Sequence, residues 1–239
     1  MSMIKLYSAI ATWSDCYKTA KPLKSPVGIV VHSTGCNNPN LKRYANLPDK
    51  LGENVYKNYW GTGSSTEQAN RGIPHAAVGY DKSGNVAAVQ VLPFDIRCWG
   101  CGSGKNGSYN ISHLQFEICE DGLNSKQYFD AAFNVAAEFC AYLMKRYPSI
   151  KLENIVSHKE ACAKGYASNH GDPDHWLAKY GKNMDWFREQ VRKAADVAVD
   201  DEYLYRVQIG AFSSRENAEN YLAEAKKKGF DGMIVKVKK

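Results

Sequence analysis

The segment GYASNHGDPDHW, residues 165–176, holds two histidines, two aspartates and a tryptophan within twelve positions. Far from it in sequence, His32 ends an apolar run and His158 ends the short run LENIVSH. Asp172 follows His158 by fourteen residues, and Pro173 restricts the Asp172 backbone to extended conformations. Two neutral imidazoles and one carboxylate form the open ligand set of a catalytic zinc, with water in the fourth position. His32, His158 and Asp172 are therefore candidate zinc ligands.

The same residues also suit ordinary structural roles. A histidine at the end of a strand is more often partly buried and hydrogen-bonded than bound to a metal. Asp172, in the stretch HGDPDHW, could simply close an Asx turn. Residue types and spacing alone leave a metal site and a hydrogen-bonded turn as open alternatives.

The elements that must position these side chains alternate between strands and helices. VGIVVHST (27–34) is almost continuously apolar, which favours a strand buried on both faces. NVAAVQVLP (85–93) and HLQFEIC (113–119) predict two further strands. Apolar residues at helical spacing predict helices over 127–147 and 184–198. Strands mixed with helices indicate an α/β fold.

The domain organisation follows from a change of pattern near residue 200. We predict an α/β domain over residues 1–198, a linker over 199–202 and a small module over 203–239. The module repeats a strand–helix–strand pattern, with Ser213 and Glu216 placed to form a capping box. One such βαβ unit buries little surface, so we expect it to need a partner surface.

Composition limits the functional classes. Of the 239 residues, 44% are hydrophobic and 23% charged, which suits one ordinary domain with a small appendage. Residues 203–239 hold eight Lys or Arg against four Asp or Glu, so most of the net charge of +6 lies there. This bias favours anionic partners, but no basic helix or aromatic–basic ladder supports nucleic-acid binding.

The sequence also predicts a cellular context. No apolar run approaches the ~20 residues of a membrane-spanning helix, so we expect no membrane span. The first residues, MSMIKLYSAIATWSDCYK, lack a long apolar stretch and a small-residue cleavage site. We therefore expect synthesis in the cytoplasm without a signal peptide. Seven scattered cysteines favour reduced thiols over a disulfide framework.

Three linked motifs resemble a known family. They are GIVVHSTGCNNPNLKRY, HLQFEICED, and SHKEACAKGYASNHGDPDHW with the later MDWFR. They occur in the same order as in the zinc-dependent N-acetylmuramoyl-L-alanine amidases of the peptidoglycan-recognition-like type. The resemblance is strongest to endolysin and prophage amidases of Gram-positive bacteria. The resemblance covers residues from about 25 to 190. It implies a mixed central β-sheet flanked by helices, with Zn²⁺ bound by His32, His158 and Asp172.

The resemblance also implies a catalytic glutamate. The family has it in a strand of the form IGFE, matched here by LQFE, which makes it Glu117. Strand alternation supports this independently, because it places three side chains towards the core and three opposite: Leu114, Phe116 and Ile118 against His113, Gln115 and Glu117. Many relatives carry a lysine where this chain has His170, which can do the same electrostatic work only when protonated.

The implied reaction is hydrolysis of the amide between the lactyl group of N-acetylmuramic acid and the first L-alanine of the stem peptide. Zinc would activate water and polarise the carbonyl. Glu117 would move the proton to the leaving amine, and His170 would hydrogen-bond the oxyanion. Trp99, His75 and His113 are predicted to contact substrate, although His75 could equally be a strand-edge histidine bonded to backbone.

Two other signals compete inside the domain. CWGC has the spacing of a redox or zinc-binding pair, Cys98 and Cys101, but no second CxxC follows and no strand-to-helix turn surrounds it. Cys162 lies four residues after His158, a spacing that could bind metal on a helix. Asp172 is the better third ligand because it alone matches the family position. His175 and Trp176 are predicted to be structural.

The module over 203–239 resembles about half of a sporulation-related (SPOR) repeat, which binds peptidoglycan glycan strands. The partners implied are peptidoglycan and, through the half repeat, a second copy of the chain as a homodimer. A phage endolysin and a sporulation-linked amidase both remain open. The alternative function is a non-catalytic peptidoglycan-binding recognition module, which would lack the third ligand. A zinc protease is disfavoured because no HExxH helix occurs.

Overall fold

The computed structural model describes residues 4–62, 72–200, 210–230 and 232–236. Contacts divide the chain into two units, Met1–Val199 and Asp200–Lys239. The first unit contains one six-stranded sheet, whose strands are β1 (Leu6–Ser8), β2 (Gly28–Ser33), β3 (Ala76–Tyr80), β4 (Val86–Gln90), β5 (His113–Ile118) and β6 (Ile155–Ser157).

The sheet has the order β1-β4-β3-β5-β2-β6. The β3–β4 pair is an antiparallel hairpin, and all the other neighbouring pairs are parallel. The predicted mixed central sheet is thereby confirmed. All six residues of β2 are buried, in agreement with its near-continuous apolar sequence.

Seven α-helices occur in the described residues: α1 (Asp15–Thr19), α2 (Pro48–Leu51), α3 (Lys126–Arg146), α4 (His158–Ala163), α5 (Asp174–Lys179), α6 (Met184–Asp200) and α7 (Arg215–Lys227). Single 3-10 turns occupy Leu41–Arg43, Tyr109–Ile111 and Leu152–Asn154. None of the helices within the described ranges is long and apolar enough to cross a membrane.

The main core lies between one face of the sheet and helix α3. The Ser125 side chain caps α3 by accepting from the Tyr128 backbone N–H. The helix buries its predicted apolar stripe, including Phe129 and Phe133, against sheet residues such as Phe116. Trp176 is fully buried in this core, which confirms its predicted structural role. This packing leaves the opposite face of β2 and β5 available for polar side chains.

The second unit differs from its prediction. Helix α7 is present, but Ser214 rather than Ser213 caps it, by accepting from the Asn217 backbone N–H. Residues 210–214 and 232–236 are not in strands, and the rest of the two predicted strands lies outside the described residues. No described side chain from residue 210 onwards is buried.

Asp81, in the β3–β4 turn, ties the edge strand β1 to the hairpin. Its side chain, 1% exposed, accepts from Lys5 Nζ at 2.7 Å and Tyr7 Oη at 3.0 Å. Its other oxygen accepts from the backbone N–H groups of Ser83 and Asn85. Burial alone would raise the pKa of Asp81, but the Lys5 hydrogen bond and its other donors outweigh burial and lower it.

We predict that Asp81→Asn lowers the free energy of unfolding at pH 7 by about 1–3 kcal/mol, because an amide cannot accept on both sides. A depressed carboxyl pKa stabilises the fold above the unfolded-state value and loses that effect as pH falls through the folded-state pKa. The difference from wild type should therefore shrink below pH 3.8. Urea denaturation measures it, with the exposed Asp49→Asn as control. Equal effects of the two variants would contradict the role of Asp81.

Candidate active site

Three neighbouring parallel strands end at the same edge of the sheet. His32 on β2 lies directly opposite Glu117 on β5, and Val31 lies opposite Ser157, the last residue of β6. His158 comes next and begins α4. Because side chains alternate along strands, His32 and Glu117 lie on the same face. The carboxyl ends of β5, β2 and β6 thus bring three chemically active side chains together, as is usual in α/β sheets.

The start of α4 is held firmly. Ser157 and Glu160 form a capping box, in which each side chain accepts from the other residue's backbone N–H. Arg188 of α6 donates to both carboxylate oxygens of Glu160, at 2.9 and 3.0 Å. This bidentate pair ties α6 to the turn of helix that carries His158.

Asp172 reaches the cluster from the loop before α5. Its carbonyl accepts from the His158 backbone N–H at 3.1 Å, and its Oδ2 accepts from the Ser33 backbone N–H at 3.2 Å. The peptide bond between Asp172 and Pro173 is cis. Both strand-end segments therefore hold Asp172 in place, one through its main-chain carbonyl and one through its carboxylate.

The three predicted ligands converge. His32 Nδ1 lies 3.0 Å from His158 Nδ1 and 3.3 Å from Asp172 Oδ2, and His158 Nδ1 lies 3.4 Å from Asp172 Oδ1. Both histidines are buried and Asp172 is half-buried. Within the described part of the chain, this is the only group of three or more such side chains placed to hold a metal ion.

The charges of the cluster favour a cation. Burial alone would lower the pKa of His32, but the Asp172 hydrogen bond and the negative charges of Glu117 and Asp172 raise it. Burial likewise opposes ionisation of Asp172, yet its hydrogen bonds with His158 and His32 hold its pKa well below the usual range. The site therefore stabilises positive charge, whether a proton or a metal ion supplies it.

The donor set fits zinc. Ligand atoms bound tetrahedrally at about 2.0–2.1 Å stand roughly 3.3 Å apart. The two histidine Nδ1 atoms are 3.0 Å apart, and they lie 3.3 and 3.4 Å from different oxygens of the Asp172 carboxylate. Two imidazole nitrogens and a carboxylate oxygen also leave a fourth position open, as catalytic zinc sites do. The outer nitrogen of each histidine also has a partner: His32 Nε2 contacts Gln115, and His158 Nε2 contacts Ser168.

Glu117 lies beside the cluster with one carboxylate oxygen unused. Its Oε2 is buried and has no hydrogen-bond partner among the described residues. Burial raises the pKa of Glu117 to about 7, with His32 opposing and Asp172 and Glu120 adding to the rise. A carboxyl group with a pKa near neutrality can both accept and release a proton at physiological pH.

His170 lies at the exposed rim of the cluster. Its ring centre is 4.6 Å from that of His158, and its Nδ1 is 3.1 Å from Ser168 Oγ. The structure therefore places His170 next to His158, one of the three candidate ligands.

Two predicted substrate contacts are buried side chains. His75 is buried, donates from Nε2 to the Ile96 carbonyl and accepts at Nδ1 from the Gln115 backbone N–H. His113 is buried, stacks on Tyr109 and opens β5, four residues before Glu117. Burial lowers the pKa of each imidazole to about 4. Substrate contact by either stays a prediction that its burial argues against.

Trp99 is the predicted substrate contact that reaches the surface, with 46% exposure. It lines a cavity of about 480 Å³, which it shares with Lys21, Arg97, Ser103 and Ile111. The loop from Cys98 to Gly102 separates this cavity from the buried Gln115 behind His32.

The remaining sequence signals have structural roles here. Cys98 and Cys101 are buried free thiols, and burial raises the pKa of both, which opposes an activated thiolate. Cys162 is on helix α4 as its spacing required, but it is not in the metal-ligand group. His175 pairs with Glu120, whose carboxylate accepts from Ser33 Oγ at 2.6 Å.

Sequence reasoning missed the partners that surround the ligands. Gln115 and Ser168 contact the outer nitrogens of His32 and His158, and Glu120 braces Ser33. Alternation along β5 places Gln115 on the same face as Glu117, and this was the sequence signal that could have identified Gln115 as a neighbour of the site. The contacts of Ser168 and Glu120 depend on loops and had no comparable signal.

Comparisons with known proteins agree on one family. Residues 22–175 match the family described as N-acetylmuramoyl-L-alanine amidase, and residues 201–239 match the SPOR domain. The N-acetylmuramoyl-L-alanine amidase CwlA from a Bacillus species is 30% identical over 108 residues. That match covers 45% of this chain and 39% of the relative, so it spans well under half of the relative's length.

Solved structures share the fold. The Staphylococcus aureus hydrolase AmiA, in complex with its ligand, superposes with a TM-score of 0.58 at 16% identity, covering 83% of this chain and 87% of that one. The PlyG catalytic domain superposes with a TM-score of 0.56 at 21% identity, covering 80% and 96%.

Proposed function

Since the chain belongs to the N-acetylmuramoyl-L-alanine amidase family, we propose that it hydrolyses the amide between the lactyl group of N-acetylmuramic acid and the first L-alanine of the peptidoglycan stem peptide. The observation that carries this proposal is the convergence of His32, His158 and Asp172 beside Glu117. All four lie within the segment that matches the family.

We further propose that His32 Nδ1, His158 Nδ1 and an Asp172 carboxylate oxygen hold Zn²⁺. Their spacing, burial and charge support this. Zinc bound there supplies a Lewis acid for the scissile carbonyl and lowers the pKa of water towards ~7.

Glu117 is the proposed proton shuttle. Its free Oε2 accepts a proton from the attacking water and later delivers it to the leaving amine of L-alanine. Burial, which raises the pKa of Glu117, favours proton uptake by its carboxylate. Because the same carboxyl group takes and returns the proton, no second acid is required. Because water attacks the carbonyl directly, no covalent enzyme intermediate forms.

His170 and Trp99 complete the proposed site. His170, exposed beside His158, donates a hydrogen bond to the oxyanion of the tetrahedral intermediate. Trp99 offers an exposed ring for contact with the substrate.

The C-terminal segment is proposed to bind peptidoglycan and to complete its fold by pairing with a second copy. Its match to the SPOR domain and the absence of any buried described side chain from residue 210 onwards support this. Sedimentation of the full chain tests the pairing, and a monomer at concentrations that saturate peptidoglycan would exclude it.

The context we favour is cell-wall lysis, as by a phage or prophage endolysin.

Product analysis tests the reaction. Purified Gram-positive peptidoglycan incubated with the full chain should lose turbidity and release new N-terminal alanine without new reducing sugar. New reducing ends without free alanine would identify a glycosidase instead. Binding to peptidoglycan with neither product would favour a non-catalytic recognition module.

A further inference from the structure

The side chain of Asn110 has a fixed orientation. Its Oδ1 accepts from the backbone N–H groups of Gly100 and Cys101, both at 3.1 Å. Backbone N–H groups can only donate, so the atom that faces them must be the amide oxygen. The Asn110 Nδ2 group then donates to the Gly102 carbonyl at 3.2 Å, which agrees with this assignment.

This orientation determines that of Gln115. Gln115 approaches the same Asn110 oxygen at 2.8 Å, and since that oxygen only accepts, Gln115 must present its NH₂ group. Its Oε1 therefore points the other way, 3.0 Å from His32 Nε2. Because an amide oxygen only accepts, His32 must carry a proton on Nε2.

The consequence concerns the other ring nitrogen. A neutral imidazole with its proton on Nε2 has a bare lone pair on Nδ1. Nδ1 is the His32 atom that faces His158 and Asp172. The tautomer selected by Gln115 is thus the one that can bind a metal at this place.

Gly100 leaves room for this contact. A Cβ atom on Gly100 would lie 2.5 Å from Gln115 Oε1, so any side chain there would displace the amide. Gln115 itself is 1% exposed. The neighbouring Cys101 carbonyl accepts from Ser168 Oγ, which contacts the outer Nε2 of His158. The segment Gly100–Gly102 therefore contacts the partner of each outer Nε2, which is Gln115 for His32 and Ser168 for His158.

We propose that Gln115 is a positioning residue for the metal site. Held by Asn110 and the segment Gly100–Gly102, it fixes the proton of His32 on Nε2 and presents Nδ1 to the metal. This rests on the proposed function for the identity of the metal, but the proton on Nε2 follows from the hydrogen bonds of Asn110, Gln115 and His32 alone. Outer partners of metal-bound histidines typically change metal affinity 10–100-fold.

The tautomer can be measured in the zinc-free full chain. Nitrogen-15 NMR of histidine-labelled protein, at a pH where the ring is neutral, should show the His32 proton on Nε2. A proton on Nδ1 would overturn the proposal. A wild-type chain that binds no zinc would refute the proposed metal site but would not affect the assignment of the His32 proton to Nε2. Failure of the proposed function and failure of the tautomer assignment are therefore distinguishable.

Zinc affinity gives the second test. Gln115→Leu should weaken zinc binding 10–100-fold and yield a mixture of His32 tautomers. The matched control is Gln90→Leu on β4, which loses a 2.8 Å hydrogen bond to the Leu92 carbonyl away from the ligands. Equal zinc affinity in the two folded variants would overturn the proposal.

Gly100→Ala tests the same contact without changing Gln115. Its added methyl group should displace Gln115 Oε1 and weaken zinc binding in the same range. If Gln115→Leu does not fold, this variant decides the question, and unchanged zinc affinity in Gly100→Ala would overturn the proposal.

Discussion

Asp172→Ala should abolish hydrolysis of peptidoglycan and lower zinc affinity at least about 100-fold, more than loss of an outer partner does. Removal of the carboxylate leaves two imidazoles, which are too few ligands for a stable catalytic zinc site. It also removes the charge that opposes the cost of burying a cation beside His32 and His158.

The fold should survive this change. Asp172 is half-buried and its side chain supports one backbone N–H, that of Ser33, in addition to the histidines. Circular dichroism and zinc titration of the variant should show native secondary structure with weak zinc binding. The control is Asp49→Ala, at an exposed position in α2. Wild-type turnover by Asp172→Ala in a zinc-buffered assay would remove Asp172 from the ligand set.

Glu117→Gln should lower kcat by ~10²–10⁴, the usual effect of losing general acid–base catalysis. The amide has nearly the same shape as the carboxyl group but cannot accept and return a proton at Oε2. Zinc affinity should stay within a few-fold of wild type, because Glu117 is not in the ligand group.

The two readouts together identify the role of Glu117. Zinc analysis and turnover are measured on the same sample, with the exposed Glu53→Gln as control. Unchanged turnover would exclude Glu117 as the proton shuttle. Loss of zinc together with turnover would make it a ligand or a structural support instead.

Strands β2, β4 and β5 could be predicted because they depend on local pattern, whereas the ligand set came from the resemblance of three motifs to a family. Buried parallel strands have near-continuous apolar sequences, so β2 was recognisable, with His32 as its last residue but one. Alternation on β5 separated Phe116 in the core from Glu117 at the site. The edge strand β1, only three residues long, carried no such pattern.

The predicted substrate contacts show that strand alternation does not give the position of a side chain along the strand. His113 shares a face with Glu117 but lies four residues away along β5, about 13 Å at the rise of a strand. Alternation identifies the face of a sheet and not the end of it. The contacts of Gln115 and Ser168 depend on how the loop from Cys98 to Asn110 folds back, which no local periodicity encodes.

The environment of the bound zinc tests the central claim most directly. X-ray absorption at the zinc edge of the full chain should show one zinc with only nitrogen and oxygen neighbours at about 2.0–2.1 Å, including two imidazoles. Asp172→Ala should lose this signal. A sulfur neighbour at about 2.3 Å would place the metal on cysteines and contradict the assignment of His32, His158 and Asp172.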